Sequence, residues 1–212
     1  MIDLARCLRF YAVTNNNWKD YQKFLNDIET SLANGVTLLQ LREKNISLED
    51  FIREARDIKK LCQAYSVPLV INDNLEVALS VGADALHIGQ TDGDVSTIRR
   101  QLPQDIALGV SATNVTEAKQ AEADGADYLG VGAIFATQTK QDAASVSLET
   151  LRKITNAVKI PVVAIGGICE DNIKLLEGTG ISGVALVSAI YGADNTASAC
   201  KKLSKIIMET KF

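Results

Sequence analysis

The chain has 212 residues, 47% hydrophobic and 23% charged, a balance that excludes disordered and fibrous classes and suits one domain spanning residues 1–212. Its net charge of −4 argues against nucleic acid or an anionic membrane surface as the main partner, so any bound anion must meet a local positive site. No apolar run reaches the roughly 18 residues of a membrane span, and the N-terminus lacks the basic and apolar regions of a signal peptide. Cys7, Cys62, Cys169 and Cys200 lie far apart with no CxxC pair, so reduced thiols in a cytoplasmic protein are expected. Homo-oligomer formation is left open.

Short apolar runs alternate with longer amphipathic stretches along the whole chain. Strands are predicted at Leu8–Val13, Val36–Leu41, Pro68–Ile71, Ala85–Gly89, Ala107–Val110, Tyr128–Gly132, Pro161–Ile165 and Gly183–Val187. Helices are predicted at Asp20–Ala33, Leu48–Tyr65, Thr116–Ala123, Leu148–Val158, Asp171–Glu177 and Thr196–Glu209, with short helical turns in the remaining gaps. Eight strand–helix units are the count of a TIM (β/α)₈ barrel; an open doubly wound sheet is the alternative. A weak repeat supports closure: NGVTLLQLR, VGADALHIG, DGADYLGVG and TGISGVALVS each place a Gly at a helix end ahead of a buried strand.

Polar residues then fall at one end of the predicted strands. Gln40-Leu41-Arg42-Glu43-Lys44 closes the second, Asn72-Asp73-Asn74 the third, and His87 to Asp92 the fourth. Ser111 to Asn114 follow the fifth, Thr137-Gln138-Thr139-Lys140 the sixth, Gly166-Gly167 the seventh and Ser188 the eighth. The C-terminal rim is where barrel active sites are built. Arg42 and Lys44 either clamp one anion or pair with Glu43 or Glu49 on the surface. Asp73 and Asp92 either share one Mg²⁺ or serve as caps and turn residues. His87 reads as a packed strand residue, Cys169 as a buried small side chain, and Thr137 and Thr139 as turn residues or ligand contacts. Gly166-Gly167 with Val187-Ser188 has the placement of a barrel phosphate site built from backbone N–H groups. Arg42, Lys44, Lys140 and one Mg²⁺, set against the two aspartates, leave a net charge of about +3, which suits a pyrophosphate better than a monophosphate.

Several motifs in order and spacing resemble thiamine phosphate synthase over essentially the whole chain: QLREK at Gln40–Lys44, ND at Asn72-Asp73, HIGQTD ending at Asp92, GVSA at Gly109–Ala112, TQTK at Thr137–Lys140, IGGI around Gly167 and VSAI at Val187–Ile190. The resemblance implies condensation of hydroxymethylpyrimidine pyrophosphate with thiazole phosphate, giving thiamine phosphate and pyrophosphate. It assigns Gln40, Leu41, Arg42, Glu43, Lys44, Asn72, Ser111 and Lys140 to the pyrimidine pyrophosphate. Among these, Arg42, Lys44, Lys140 and Ser111 are implied to be catalytic. Thr137, Gln138, Thr139, Gly167, Val187 and Ser188 are assigned to the thiazole phosphate, and Asp73 and Asp92 to Mg²⁺.

Three features depart from that pattern. Thr113 stands where the family often has a His, the segment Gly132–Thr137 lacks the family's prolines, and the stretch after Lys140 is short. These residues also bear on two other readings. A thiazole tautomerase-like isomerase needs a titrating group that Thr113 cannot supply, and a non-catalytic phosphate-binding barrel has no use for both Asp73 and Asp92.

Overall fold

β-Branched and large apolar residues set the strands, and in the computed structural model eight of them are found. They are Phe10–Val13 (β1), Leu38–Leu41 (β2), Leu69–Asn72 (β3), Ala85–Ile88 (β4), Ala107–Ala112 (β5), Tyr128–Val131 (β6), Val162–Ile165 (β7) and Gly183–Leu186 (β8). They run parallel in sequence order, and β8 pairs back onto β1, closing a TIM barrel. The structure describes residues 3–15, 18, 20–137 and 145–212.

β1, β2, β3 and β7 start one or two residues later than their apolar runs, and the other four strands start where expected. Pro68 and Pro161 have no N–H to pair, so each joins the ladder only as an acceptor, from Leu39 N–H at 3.2 Å and Leu129 N–H at 2.9 Å. At the N-terminus, Leu4–Cys7 forms an unexpected helical turn (α1), and Leu4 and Cys7 pack against the lower end of the barrel interior.

The other helices among the described residues are Tyr21–Ala33 (α2), Leu48–Ala64 (α3), Leu75–Val81 (α4), Val95–Gln101 (α5), Val115–Ala123 (α6), Leu148–Ala157 (α7), Ser188–Tyr191 (α8) and Thr196–Glu209 (α9). The helix expected over Asp171–Glu177 is instead a single 3₁₀ turn, Ile173–Leu176. Asn172 sits at its start without capping it. That side chain accepts from Cys169 N–H and donates to Gly167 C=O, so it folds the loop after β7 instead. Cys169 is partly exposed, not buried as expected.

Strand alternation divides the apolar residues into two layers. Leu38, Val70, Ala85, Ala107, Tyr128, Val163 and Ala185 point into the barrel with Tyr11 and Val13. Leu39, Leu41, Ile71, Leu86, Leu108, Val110, Leu129 and Val184 point outward under the helices. The next inward positions along β2, β3 and β4 are polar, Gln40, Asn72 and His87, and on β5 the inward Gly109 is followed by Ser111.

Candidate active site

A cavity of about 540 Å³ opens at the C-terminal ends of the strands. Those inward polar residues form its wall from β2 to β5, while Gly166, Gly167, Val187 and Ser188 form the wall at β7 and β8. Apolar Val163, Ile165 and Ala185 lie between and below, as in a site that must exclude water from part of its ligand.

Arg42 and Lys44 both line the cavity. Arg42 leaves β2 through a fixed backbone: its N–H donates to Thr14 Oγ1 at 2.8 Å, and Thr14 N–H donates to Gln40 C=O at 2.9 Å. Lys44 Nζ lies 3.8 Å from Asp73 Oδ2. Two residues assigned to the pyrimidine substrate do not bring their side chains to this wall. Leu41 is fully buried among the outward-facing residues, because strand alternation turns it from the lumen. Glu43, between two cavity-facing cations, turns away towards Glu54; partial burial, then the Glu54 charge, raise its carboxyl to about 7.

Asp73 and Asp92 are relieved of capping duty by their neighbours. Asn74 caps α4 by accepting from Val77 N–H, and Asp94 caps α5 by accepting from Thr97 N–H, at 2.9 and 2.8 Å. Both aspartates line the cavity. Asp73 takes a left-handed backbone with φ 63°, an uncommon conformation outside glycine, held by its N–H donating to His87 C=O at 2.8 Å. Asp92 spends one oxygen on Gly89 N–H, at 2.7 Å. Burial, then the hydrogen bond and charge of Asp92, raise the Asp73 carboxyl to about 6, with Lys44 opposing. Two carboxylates crowded enough that one raises the proton affinity of Asp73 are a hard oxygen pair that a dication relieves, so these residues fit Mg²⁺.

At β7 and β8, Gly167 has φ 63°, and a Cβ there would meet Ala136 C=O at 2.5 Å, so a side chain is excluded twice over. Val187 precedes the short helix α8, which the sequence reading did not anticipate and which starts at Ser188. Thr137 lines the same cavity. Gln138, Thr139 and Lys140 lie outside the described residues.

Sequence reasoning also missed residues. Tyr11 and Thr14 line the cavity from β1; the signal was available, since Thr14-Asn15 follow β1 as polar residues follow the other strands. Glu117 lines it from α6 and accepts from the N–H and the hydroxyl of Thr113, at 2.7 and 2.9 Å. His87 is buried as expected but also lines the cavity. Its Nε2 lies 3.1 Å from Ser111 Oγ and its Nδ1 lies 3.2 Å from Tyr128 Oη. Burial pushes the Tyr11 and Tyr128 hydroxyls well above the ordinary tyrosine range, so both stay protonated.

A family described as thiamine monophosphate synthase matches residues 10–190. A thiamine-phosphate synthase of Methanobrevibacter smithii is 48% identical over 93% of this chain and 94% of its own length. One from Clostridium tetani is 45% identical over 94% and 95%. Among solved structures, a thiamine phosphate pyrophosphorylase from Pyrococcus furiosus superposes with a TM-score of 0.89 at 34% identity, covering 98% of both chains. A 3-hexulose-6-phosphate synthase, at 17% identity and a TM-score of 0.67, shares the fold alone.

Proposed function

Because the chain belongs to the thiamine monophosphate synthase family, we propose that its cavity joins hydroxymethylpyrimidine pyrophosphate to thiazole phosphate, releasing pyrophosphate. The observation that carries this reading is the pairing, in one cavity, of a cation-and-carboxylate wall at β2–β4 with a glycine-backbone wall at β7–β8. Two anionic groups of different character fit these two walls.

In the proposed reaction the bond from the pyrimidine methylene carbon to the pyrophosphate oxygen breaks, and its electron pair leaves with the pyrophosphate. The thiazole nitrogen then supplies the pair that forms the new carbon–nitrogen bond. Gln40, Asn72 and Ser111 hold and orient the pyrimidine substrate. Arg42, Lys44 and Lys140 bind the pyrophosphate as its charge grows, a stabilisation that lowers the barrier because it strengthens in the transition state. Asp73 and Asp92 would hold Mg²⁺, which when bound supplies further charge neutralisation to the leaving pyrophosphate. Thr137, Thr139, Gly167, Val187 and Ser188 hold the thiazole phosphate, whose charge stays constant.

Support for a cytoplasmic site of action comes from the four free thiols of Cys7, Cys62, Cys169 and Cys200. Among the described residues no helix is long and apolar enough to cross a membrane.

The test is pyrophosphate release by the purified protein from the two substrates together, with Mg²⁺ varied. Release that requires both substrates and Mg²⁺ is expected. Asp73→Ala and Asp92→Ala should each lower kcat by roughly 10²–10⁴ with the fold intact. Release independent of the thiazole substrate, or full turnover in both variants, would overturn the assignment.

A further inference from the structure

Beneath the cavity a chain of hydrogen bonds crosses the barrel from β2 to β5. Gln40 Nε2 donates to Tyr11 Oη at 2.6 Å, and Tyr11 Oη lies 3.0 Å from Tyr128 Oη. Tyr128 Oη lies 3.2 Å from His87 Nδ1, and His87 Nε2 lies 3.1 Å from Ser111 Oγ. The interior is cleared for it: a Cβ on Gly109 would collide with the Tyr128 hydroxyl and with His87, and one on Gly130 would press on the His87 ring at 3.0 Å. Tyr11 and Tyr128 are 1% and 0% exposed, so a lost partner in this chain could not be replaced by bulk water.

The directions of these bonds are linked. Tyr11 Oη accepts from Gln40, so its own proton needs an acceptor. Among the described residues the partner left for it is Tyr128 Oη, and a buried hydroxyl proton without a partner is costly. The Tyr128 proton then goes to His87 Nδ1. A neutral imidazole has one donor and one acceptor nitrogen, so Nε2–H donates to Ser111 Oγ. At the two ends, Gln40 is left with its carbonyl oxygen and Ser111 with its hydroxyl proton.

We infer that Tyr128, with Tyr11 and His87, is a positioning residue that fixes Gln40 as an acceptor and Ser111 as a donor towards the pyrimidine substrate. The inference rests on the proposed function for the identity of that substrate. Tyr128 does not itself line the cavity, so it acts through the two end groups. Turning the Gln40 amide over would reverse every bond in the chain and invert both ends together.

Because His87 is the sole histidine, its ring nitrogens give one set of ¹⁵N signals in the intact protein. The expected spectrum is that of the Nε2–H tautomer, and Tyr128→Phe should shift it towards a mixture. An Nδ1–H tautomer in the unaltered protein overturns the assigned direction, whatever reaction the site performs. In turnover, Tyr128→Phe should raise the KM for the pyrimidine pyrophosphate by about 10-fold, the loss of one hydrogen bond's orienting effect. The KM for the thiazole phosphate should stay within about twofold. In a Ser111→Ala background the same replacement should change KM less, because only the Gln40 end is left for it to act through, whereas a purely structural effect would repeat in full. If Tyr128→Phe fails to fold, Tyr11→Phe breaks the chain at the neighbouring link and carries the same expectations. A folded variant with both KM values unchanged overturns the inference. Absence of any reaction in the unaltered protein overturns the functional reading and leaves the tautomer result standing.

Discussion

Ser188 and Glu43 show how side chains near one rim differ in what they contribute. Ser188 faces the cavity beside Gly167, and in the proposed reaction its phosphate partner keeps a constant charge, so its interaction is as strong before the transition state as in it. Ser188→Ala should therefore raise the KM for thiazole phosphate by roughly 10- to 150-fold, the equivalent of about 1.5–3 kcal/mol, with little change in kcat. Steady-state kinetics with each substrate varied in turn checks this, and a rise confined to the KM for the pyrimidine substrate would reverse the two subsites. Glu43 interrupts two cavity cations in sequence yet turns to the helix layer, where burial raises its carboxyl to about 7. A raised carboxyl means the folded state holds the proton more tightly than the unfolded chain, so this residue's contribution to stability falls as pH rises from about 4.5 to 7. Glu43→Gln should therefore flatten that part of the stability profile and leave the protein more stable than the parent above pH 7. Urea denaturation across pH 4–8 measures it, and a parallel profile in the variant would count against it.

At the scale of elements, the ends of the strands divide the work. The repeated segment in VGADAL and DGADYL carries Asp84 and Asp127 at the lower ends of β4 and β6. Asp84 Oδ2 accepts from Leu69 N–H at 2.8 Å and from Lys59 Nζ at 2.6 Å. Asp127 Oδ2 does the same with Leu108 N–H at 2.7 Å and Arg99 Nη1 at 3.1 Å. Each aspartate thus ties a strand start to its neighbour and to the helix outside, a use of charge that involves no substrate. Asp84→Ala should cost about 1–3 kcal/mol of stability by leaving a backbone donor and a partly buried lysine without their acceptor, while kcat/KM stays unchanged. Thermal unfolding with parallel kinetics separates the two, and a loss of activity without loss of stability would refute the division. The glycines in those repeats were legible in the sequence as helix stops; the paired role of the aspartates was not, because it depends on a strand and a helix 15 to 28 residues away. The expected helix over Asp171–Glu177 failed for a related reason. Asn172 stands at its start, but its amide is committed to Gly167 C=O and Cys169 N–H in the loop after β7.

For the molecule as a whole, the barrel brings the ends of eight strands to one cavity, so ligands that bridge them should stabilise the entire fold. With Mg²⁺ and inorganic pyrophosphate at about 100 times their dissociation constant, the linkage is about 2.7 kcal/mol, or a rise in Tm of about 5–10 °C for a domain of this size. Mg²⁺ alone should do much less, and Asp73→Asn should abolish the joint effect; an equal rise with pyrophosphate in the absence of Mg²⁺ would argue against a shared metal. The sequence by itself determined the closed eight-strand barrel, the rim at which the cavity opens and most of the residues that line it. These are matters of period, order and polarity, which a one-dimensional pattern records. Only the tertiary structure decided that Leu41 and Glu43 turn away while Gln40, Arg42 and Lys44 turn in. It also decided that Tyr11, Tyr128 and His87 link Gln40 to Ser111, through residues as many as 117 positions apart. Strand register and barrel closure bring such residues within hydrogen-bond distance, and no local spacing encodes which inward side chains will meet across the lumen.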